Sequence, residues 1–159
     1  MNLSPKQLTL VESRQLLKHV KTGTLASIDF ENGAPFASWV NFGLDERCHP
    51  LFLLSGLARH TKCISQDPRV SLLVAPVPAS TEDPLTASRL TISGRVEITS
   101  SRANAERYLS RHEYSRMYAD FGDFRFWLLL PEQVYVVGGF GNIFRYAPEE
   151  FFNESNPIQ

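Results

Sequence analysis

LFLLSGLARHTKCISQDPRVSLLVA, residues 51–75, reads as a strand, a tight turn, a short helix and a second strand. Residues 51–54 are a continuous apolar run and residues 69–74 are another rich in β-formers, so both suit a buried sheet. Between them Gly56 permits a sharp turn. Residues 58–66 make about two helical turns before Asp67-Pro68 stops them, because the residue before a proline is pushed out of the α region.

The first turn of that helix carries Arg59, His60, Thr61 and Lys62. Free backbone N–H groups, the positive end of the helix dipole, two cationic side chains and a hydroxyl converge there, which is the donor set a phosphate dianion requires. The same residues also describe a solvated basic turn whose charges meet water and neighbouring carboxylates. Composition alone leaves both readings open.

Outward from this stretch, the whole chain has 159 residues, 43% hydrophobic and 21% charged, which suits one soluble globular domain with a substantial core. We expect residues 1–150 to form that domain and residues 151–159 to be a C-terminal tail. A net charge of −1 lacks the basic footprint of a nucleic-acid binder. The apolar runs fall far short of the ~20 residues that span a bilayer, and MNLSPKQLTLVESRQLLKHV lacks the apolar core of a signal peptide. A cytoplasmic location with no membrane partner is the resulting expectation. Cys48 and Cys63 show neither CxxC nor CxxCH spacing and read as reduced thiols. His49, in the DERCHP turn, has no second residue at ligand spacing, so no metal site is expected.

Upstream, Ser4-Pro5 marks a helix start, and Leu8, Val11, Leu16, Leu17 and Val20 form an imperfect apolar stripe that would pack across the end of a barrel. Residues 24–30 and 35–42 flank Glu31-Asn32-Gly33-Ala34, a hairpin signal. In the second of these runs Phe36, Ser38, Val40 and Phe42 share one face, and Ala37, Trp39 and Asn41 the other.

Downstream, the proline-rich residues 75–84 read as a loop, either a lid or an edge of a dimer. Residues 87–99 are the longest strand candidate, with Gly94 at a kink. Residues 102–112 read as a surface helix and residues 113–123 as irregular. Residues 124–131 and 133–137 read as two strands broken by Pro131, followed by Gly138-Gly139-Phe140-Gly141 and a short last strand over 142–146. Short antiparallel strands, helices at the ends and no βαβ rhythm indicate a closed or partly closed β-barrel of Greek-key type. The 11 Phe, 5 Tyr and 2 Trp are more than a small barrel interior easily holds, which favours an aromatic interface.

The run LLSGLARHTKCISQDPRVSLLV, with PFASWVNFGLD before it and ASRLTISGRVEI after it, resembles the pyridoxamine 5'-phosphate oxidase-like family of FMN-binding split barrels. The resemblance extends over residues 14–141 and is closest to the branch of haem-utilisation proteins. That branch has Leu-Ser-x-Leu-Ala-x-His-Thr-x-Asn followed by Asp-Pro-Arg-x-Ser-Leu; here Cys63 stands in place of the Asn.

The resemblance implies a mainly β split barrel that pairs as a homodimer, with an FMN cofactor at the interface and a small-molecule ligand. It implies an FMN-dependent oxidoreductase of unassigned substrate, with electron or hydride transfer at the flavin and no catalytic side chain identified. The cofactor contacts carried over are Arg59, His60, Thr61 and Lys62 at the phosphate, Ser55 at the turn, Ser38, Trp39, Val40 and Asn41 beside the flavin, and Arg89 at its ring edge or phosphate. Read from the residues alone, Trp39 is core or dimer interface and Arg89 an exposed strand end.

The same branch implies an alternative: a haem-binding or haem-utilisation protein without flavin turnover, with His49, His60 or His112 as iron ligand. A flavin reservoir or sensor is a third reading. Residues 142–146, Asn-Ile-Phe-Arg-Tyr, lack the histidine of the Arg-x-His substrate element, which argues against vitamin B6 oxidation.

Overall fold

A capping box starts the first helix of the computed structural model, which describes residues 3–77, 83–139 and 141–153. The Gln7 N–H donates to Ser4 Oγ (3.3 Å) and the Ser4 N–H to Gln7 Oε1 (2.8 Å), with Pro5 opening α1 (Pro5–His19). Strands β1 (Thr22–Ile28) and β2 (Pro35–Asn41) follow as the expected hairpin. Its connection spans residues 29–34, closed by Asp29 N–H to Ala34 O and Gly33 N–H to Asp29 O (2.8 Å each), and Gly33 takes a φ of +72° there.

After β3 (Gly43–Leu44), the deciding stretch folds as read: β4 (Pro50–Ser55), α2 (Arg59–Gln66) and β5 (Arg69–Val74). Then come β6 (Ser88–Ile98), α3 (Arg102–Arg111), β7 (Phe124–Gly138), β8 (Ile143–Tyr146) and α4 (Pro148–Phe152). All strand pairs are antiparallel, in the order β2-β1-β5-β6-β7-β4-β3 with β8 also on β7. The sheet forms an antiparallel β half-barrel flanked by helices, the expected fold class.

β4 explains why its sequence is continuously apolar rather than alternating. Phe52 and Leu54 belong to the main core with Leu25, Val40, Phe42, Leu72, Ile92 and Val136. Leu51 and Leu53 point the other way, into a smaller cluster with Tyr108 of α3, Tyr118, Phe124 and Phe126. Both faces of the strand are covered, so every position must be apolar.

Several expectations are corrected. Pro131 does not end a strand: β7 runs through it, is longer than β6, and absorbs an extra residue at Glu132 where the register shifts opposite Ser93 and Gly94. A bulge accommodates a proline because the missing N–H is not needed in the ladder there. Gly94 is required at this point, since a Cβ on it would lie 2.0 Å from Leu130 O. On α1 the buried face is Thr9, Leu10, Ser13 and Leu17, while Leu8 is exposed. Small residues let the helix approach the sheet closely, and a Cβ on Gly138 would meet Thr9 Cγ2 at 2.9 Å.

The segment expected to be a tail from residue 151 begins inside the fold: Phe151 is buried, its ring 6.0 Å from Tyr146. Arg14 secures α4 by donating to the carbonyls of Phe151 (2.6 Å) and Glu150 (2.8 Å). His112, expected at a boundary, is buried, with Nε2 2.8 Å from Phe42 O. Residues 113–117 form a 3-10 turn. Gly139 and Gly141 have positive φ and make the β7–β8 turn, whereas Phe140 lies outside the described residues, as do residues 78–82 of the proline-rich loop. Among the described residues, no helix is long and apolar enough to cross a membrane.

Candidate functional site

Where β4 ends and α2 begins, a cleft of about 290 Å³ opens between the C-terminal end of β2, the start of α2 and the aromatic cluster under α3. The chain turns sharply here, and the turn is held by side chains. Ser55 Oγ donates to Asp123 Oδ2 (2.5 Å) and accepts from the Leu57 N–H (3.1 Å), while the Gly56 N–H donates to Asp123 O (2.7 Å). This fixes the start of α2 against the entry to β7.

Five of the ten expected cofactor contacts line the cleft: Trp39, Val40, Asn41, Ser55 and His60. Trp39 stands 79% exposed on the outer face of β2, so it is not core. His60 is half-buried, and burial pushes its imidazole below the usual histidine range, leaving a neutral ring at pH 7. The other five do not line it. Ser38 Oγ donates to Leu25 O (3.5 Å), and Thr61 is buried with its hydroxyl unpartnered among the described residues. Lys62 is exposed. Arg89 sits at the far end of β6, where Nη1 donates to Leu85 O (3.1 Å) and Ala87 O (3.3 Å).

Arg59 is the telling position. Its Nε donates to Asp29 Oδ2 (2.9 Å) and its Nη2 to Glu31 Oε2 (2.7 Å), and its guanidinium lies 5.4 Å from the Phe30 ring centroid. The hydrogen bonds it donates to Glu31 and Asp29 hold the guanidinium pKa above its ordinary value, and the Glu31 N–H together with Arg59 holds the Asp29 carboxyl below its own. The cation read as a phosphate ligand is therefore paired to two carboxylates on the β1–β2 turn. A dianion arriving at α2 would meet those carboxylates as well as the helix dipole.

Reading the sequence missed Leu53, Ala58, Tyr108, Tyr118 and Phe124, which supply most of the apolar wall. Tyr108 is buried with its phenol pushed to higher pKa by that burial, and Tyr118 packs on Phe124 with ring centroids 5.0 Å apart. The one available signal was Tyr108 at helical spacing with Leu109 and Ala105; residues 113–123 carry no periodicity that would bring Tyr118 to this place.

Together the half-barrel, its flanking helices and the all-antiparallel strand order define a split-barrel protein, with an aromatic-walled cleft beside the start of α2. The chain belongs to the pyridoxamine 5'-phosphate oxidase family, whose pattern matches residues 11–138. It is 32% identical over 148 residues to the chloroplastic non-canonical haem oxygenase HOZ of Arabidopsis thaliana, a match that takes in 88% of this chain and 44% of that protein. Among solved structures, a haem-binding protein of Mycobacterium smegmatis superposes with a TM-score of 0.83 at 29% identity, over 95% of this chain and 61% of that one. The haem storage protein HutZ of Vibrio cholerae shares the fold, with a TM-score of 0.69 at 23% identity, over 87% of this chain and 97% of that one. The chain thus spans less than two thirds of the length of the first two relatives.

Proposed function

We propose that this chain is a haem-binding protein whose iron ligand is His60. The observation that carries the reading is a neutral, half-buried imidazole set in an aromatic and aliphatic cleft. Neutral imidazole ligates haem iron, and Leu53, Val40 and Phe124 offer an apolar wall for a porphyrin face. Bound haem would supply a redox-active iron; the protein's part is to orient the ring and limit water. The haem oxygenase HOZ and the haem-binding protein of Mycobacterium smegmatis, both similar to this chain, support the same reading.

The site calls for a second copy of the chain. A cleft of about 290 Å³ lies at the lower limit for a small-molecule site, roughly 300–1,000 Å³. Beside it, the outer sheet face carries a register row of Trp39, Thr24, Leu73, Thr91 and Tyr135, with Trp39 79% and Leu73 40% exposed. The neighbouring row is small and polar: Ala37, Ala26, Ser71, Ser93 and Gln133. A homodimer packed on this face covers Trp39 and closes the cleft, and Arg89, on the same face, would then approach the partner's site.

FMN is the second reading, favoured by the five family-matched contacts that do line the cleft. The pairing of Arg59 with Asp29 and Glu31 weakens it. Titration of the purified chain with haemin and, separately, with FMN decides between them. Haem binding predicts a Soret band that develops to saturation and an affinity at least about ten-fold weaker in His60→Ala. A protein that leaves haemin unbound and quenches FMN fluorescence at stoichiometric ratio overturns the proposal in favour of the flavin.

A further inference from the structure

Three hydroxyls meet on the aromatic side of the cleft beside the start of α2. Tyr108 and Tyr118 both line it, and Ser115, fully buried in the 3-10 turn after α3, lies against them. Tyr118 Oη is 2.9 Å from Ser115 Oγ, a distance that by itself leaves the donor open. Burial raises the Tyr108 pKa, the neighbouring phenols of Tyr118 and Tyr114 add to the rise, and hydrogen bonds with Ser115 and the Leu53 N–H oppose it. The Tyr108 hydroxyl therefore faces both of those groups.

Counting hydrogens sets the direction of the chain, since a hydroxyl has one hydrogen to give and two lone pairs to receive. Tyr108 is buried and accepts from the Leu53 N–H, so its own hydrogen goes to Ser115, its remaining partner among the described residues. Ser115 then has Tyr118 to donate to. Tyr118, half-buried, accepts from Ser115 and keeps its own hydrogen for the cleft. Each bond polarises the next, which makes the terminal O–H a better donor than an isolated phenol. His112 and Tyr114 form a separate pair: Nε2 lies on Phe42 O (2.8 Å) and Nδ1 3.3 Å from the Tyr114 hydroxyl, so they do not feed the chain.

The rest of the lining shows what such a donor can meet. With His60 neutral, no charged side chain lines the cleft, and Ser55 spends its hydrogen on Asp123. A carboxylate there finds no cation, so its stabilisation falls to hydrogen-bond donors, and an O–H donated to an ionised oxygen is of the strong kind. The nearest alternative anchor, Arg59, is already held by Asp29 and Glu31.

We propose that Tyr118 is a specificity-determining residue that donates its O–H to a carboxylate of the ligand in this cleft, with Tyr108 and Ser115 fixing the direction of that bond. The assignment rests on the haem-binding reading above and adds a requirement to it: the ligand presents an ionised carboxyl group to the aromatic side of the cleft.

The test compares haemin with its dimethyl ester, which keeps ring and iron but has no ionised carboxyl, each titrated into the full chain and followed at the Soret band. Tyr118→Phe removes one oxygen and keeps the ring packed on Phe124. It should weaken haemin about ten-fold and the ester by less than about two-fold. Ser115→Ala should also weaken haemin and spare the ester, while Tyr114→Phe, whose hydroxyl serves His112, should alter neither. Melting curves of the variants report whether they are folded. Unchanged haemin affinity in Tyr118→Phe, or losses of equal size for haemin and ester, overturn the proposal; a loss that persists in His60→Ala then shows that the haem reading itself stands. A parent that takes up no haemin overturns both.

Discussion

Replacing Arg111 by Met tests how the helix that lines the cleft is held to the rest of the fold. Arg111 ends α3, and its guanidinium reaches the C-terminal end of α1, where the last carbonyls of any helix lack intrahelical partners. Nη1 donates to Lys18 O (2.7 Å), Nη2 to Val20 O (2.5 Å) and more weakly to Leu17 O (3.5 Å). The group also lies 5.6 Å from the Phe42 ring centroid. A hydrogen bond to a charged group contributes about 1.5–3 kcal/mol, so the two short ones amount to about 3–6 kcal/mol gross.

Two effects reduce that figure. Burial disfavours the charged guanidinium, as its lowered pKa and its unpartnered Nε indicate, and water can reach the partly exposed Lys18 and Val20 once the side chain is shortened. Met keeps the aliphatic stem over Phe42, which isolates the polar part. The expected net loss is about 2–3 kcal/mol, or roughly 5–10 °C in Tm for a domain of this size. Thermal and urea unfolding followed by circular dichroism measure it. A Tm within about 1 °C of the parent, with Arg111→Lys no different from Arg111→Met, would show that the carbonyl contacts contribute nothing.

Trp39→Glu should convert a dimer to a monomer in sedimentation velocity without lowering Tm appreciably, since the side chain is 79% exposed in the single chain; an unchanged sedimentation coefficient refutes the proposed interface. Haem affinity should be flat from neutral to mildly alkaline pH and decline with acidification. Burial has lowered the His60 pKa below the usual ~6.5, so the imidazole gains its proton, and loses its lone pair, only as pH falls through that lowered value. A Soret titration that shows no such decline at any acid pH at which the protein stays folded argues against a histidine ligand. Gly94→Ala places a Cβ 2.0 Å from a backbone oxygen and should cost about 3 kcal/mol or more, read as a large drop in Tm. A Tm equal to the parent's would mean the bulge relaxes freely.

The fold was largely legible in the chain because its signals are local. A continuous apolar run, a glycine turn and an Asp-Pro stop placed β4, α2 and β5 without reference to anything distant. The Asn-Gly hairpin and the mid-strand Gly94 were equally self-contained. The errors fell where local and non-local preferences conflict: Pro131 breaks a strand by propensity but sits in a bulge, and Phe151 looks like the start of a tail but fills the core.

The sequence by itself determined the barrel class, the family resemblance and the first turn of α2 as the place of interest. What it could not determine is who meets whom there. Arg59 is a free cation on paper, and only the approach of the β1–β2 turn puts Asp29 and Glu31 on it. Tyr108, Tyr118 and Phe124 are scattered along the chain, and only the pairing of β4 with β7 beneath α3 gathers them into a wall. Charge compensation and apolar enclosure are properties of contacts between residues far apart in sequence, so the chemistry of the cleft is decided by tertiary packing, which brings such residues together and sets which of them remain available to a ligand.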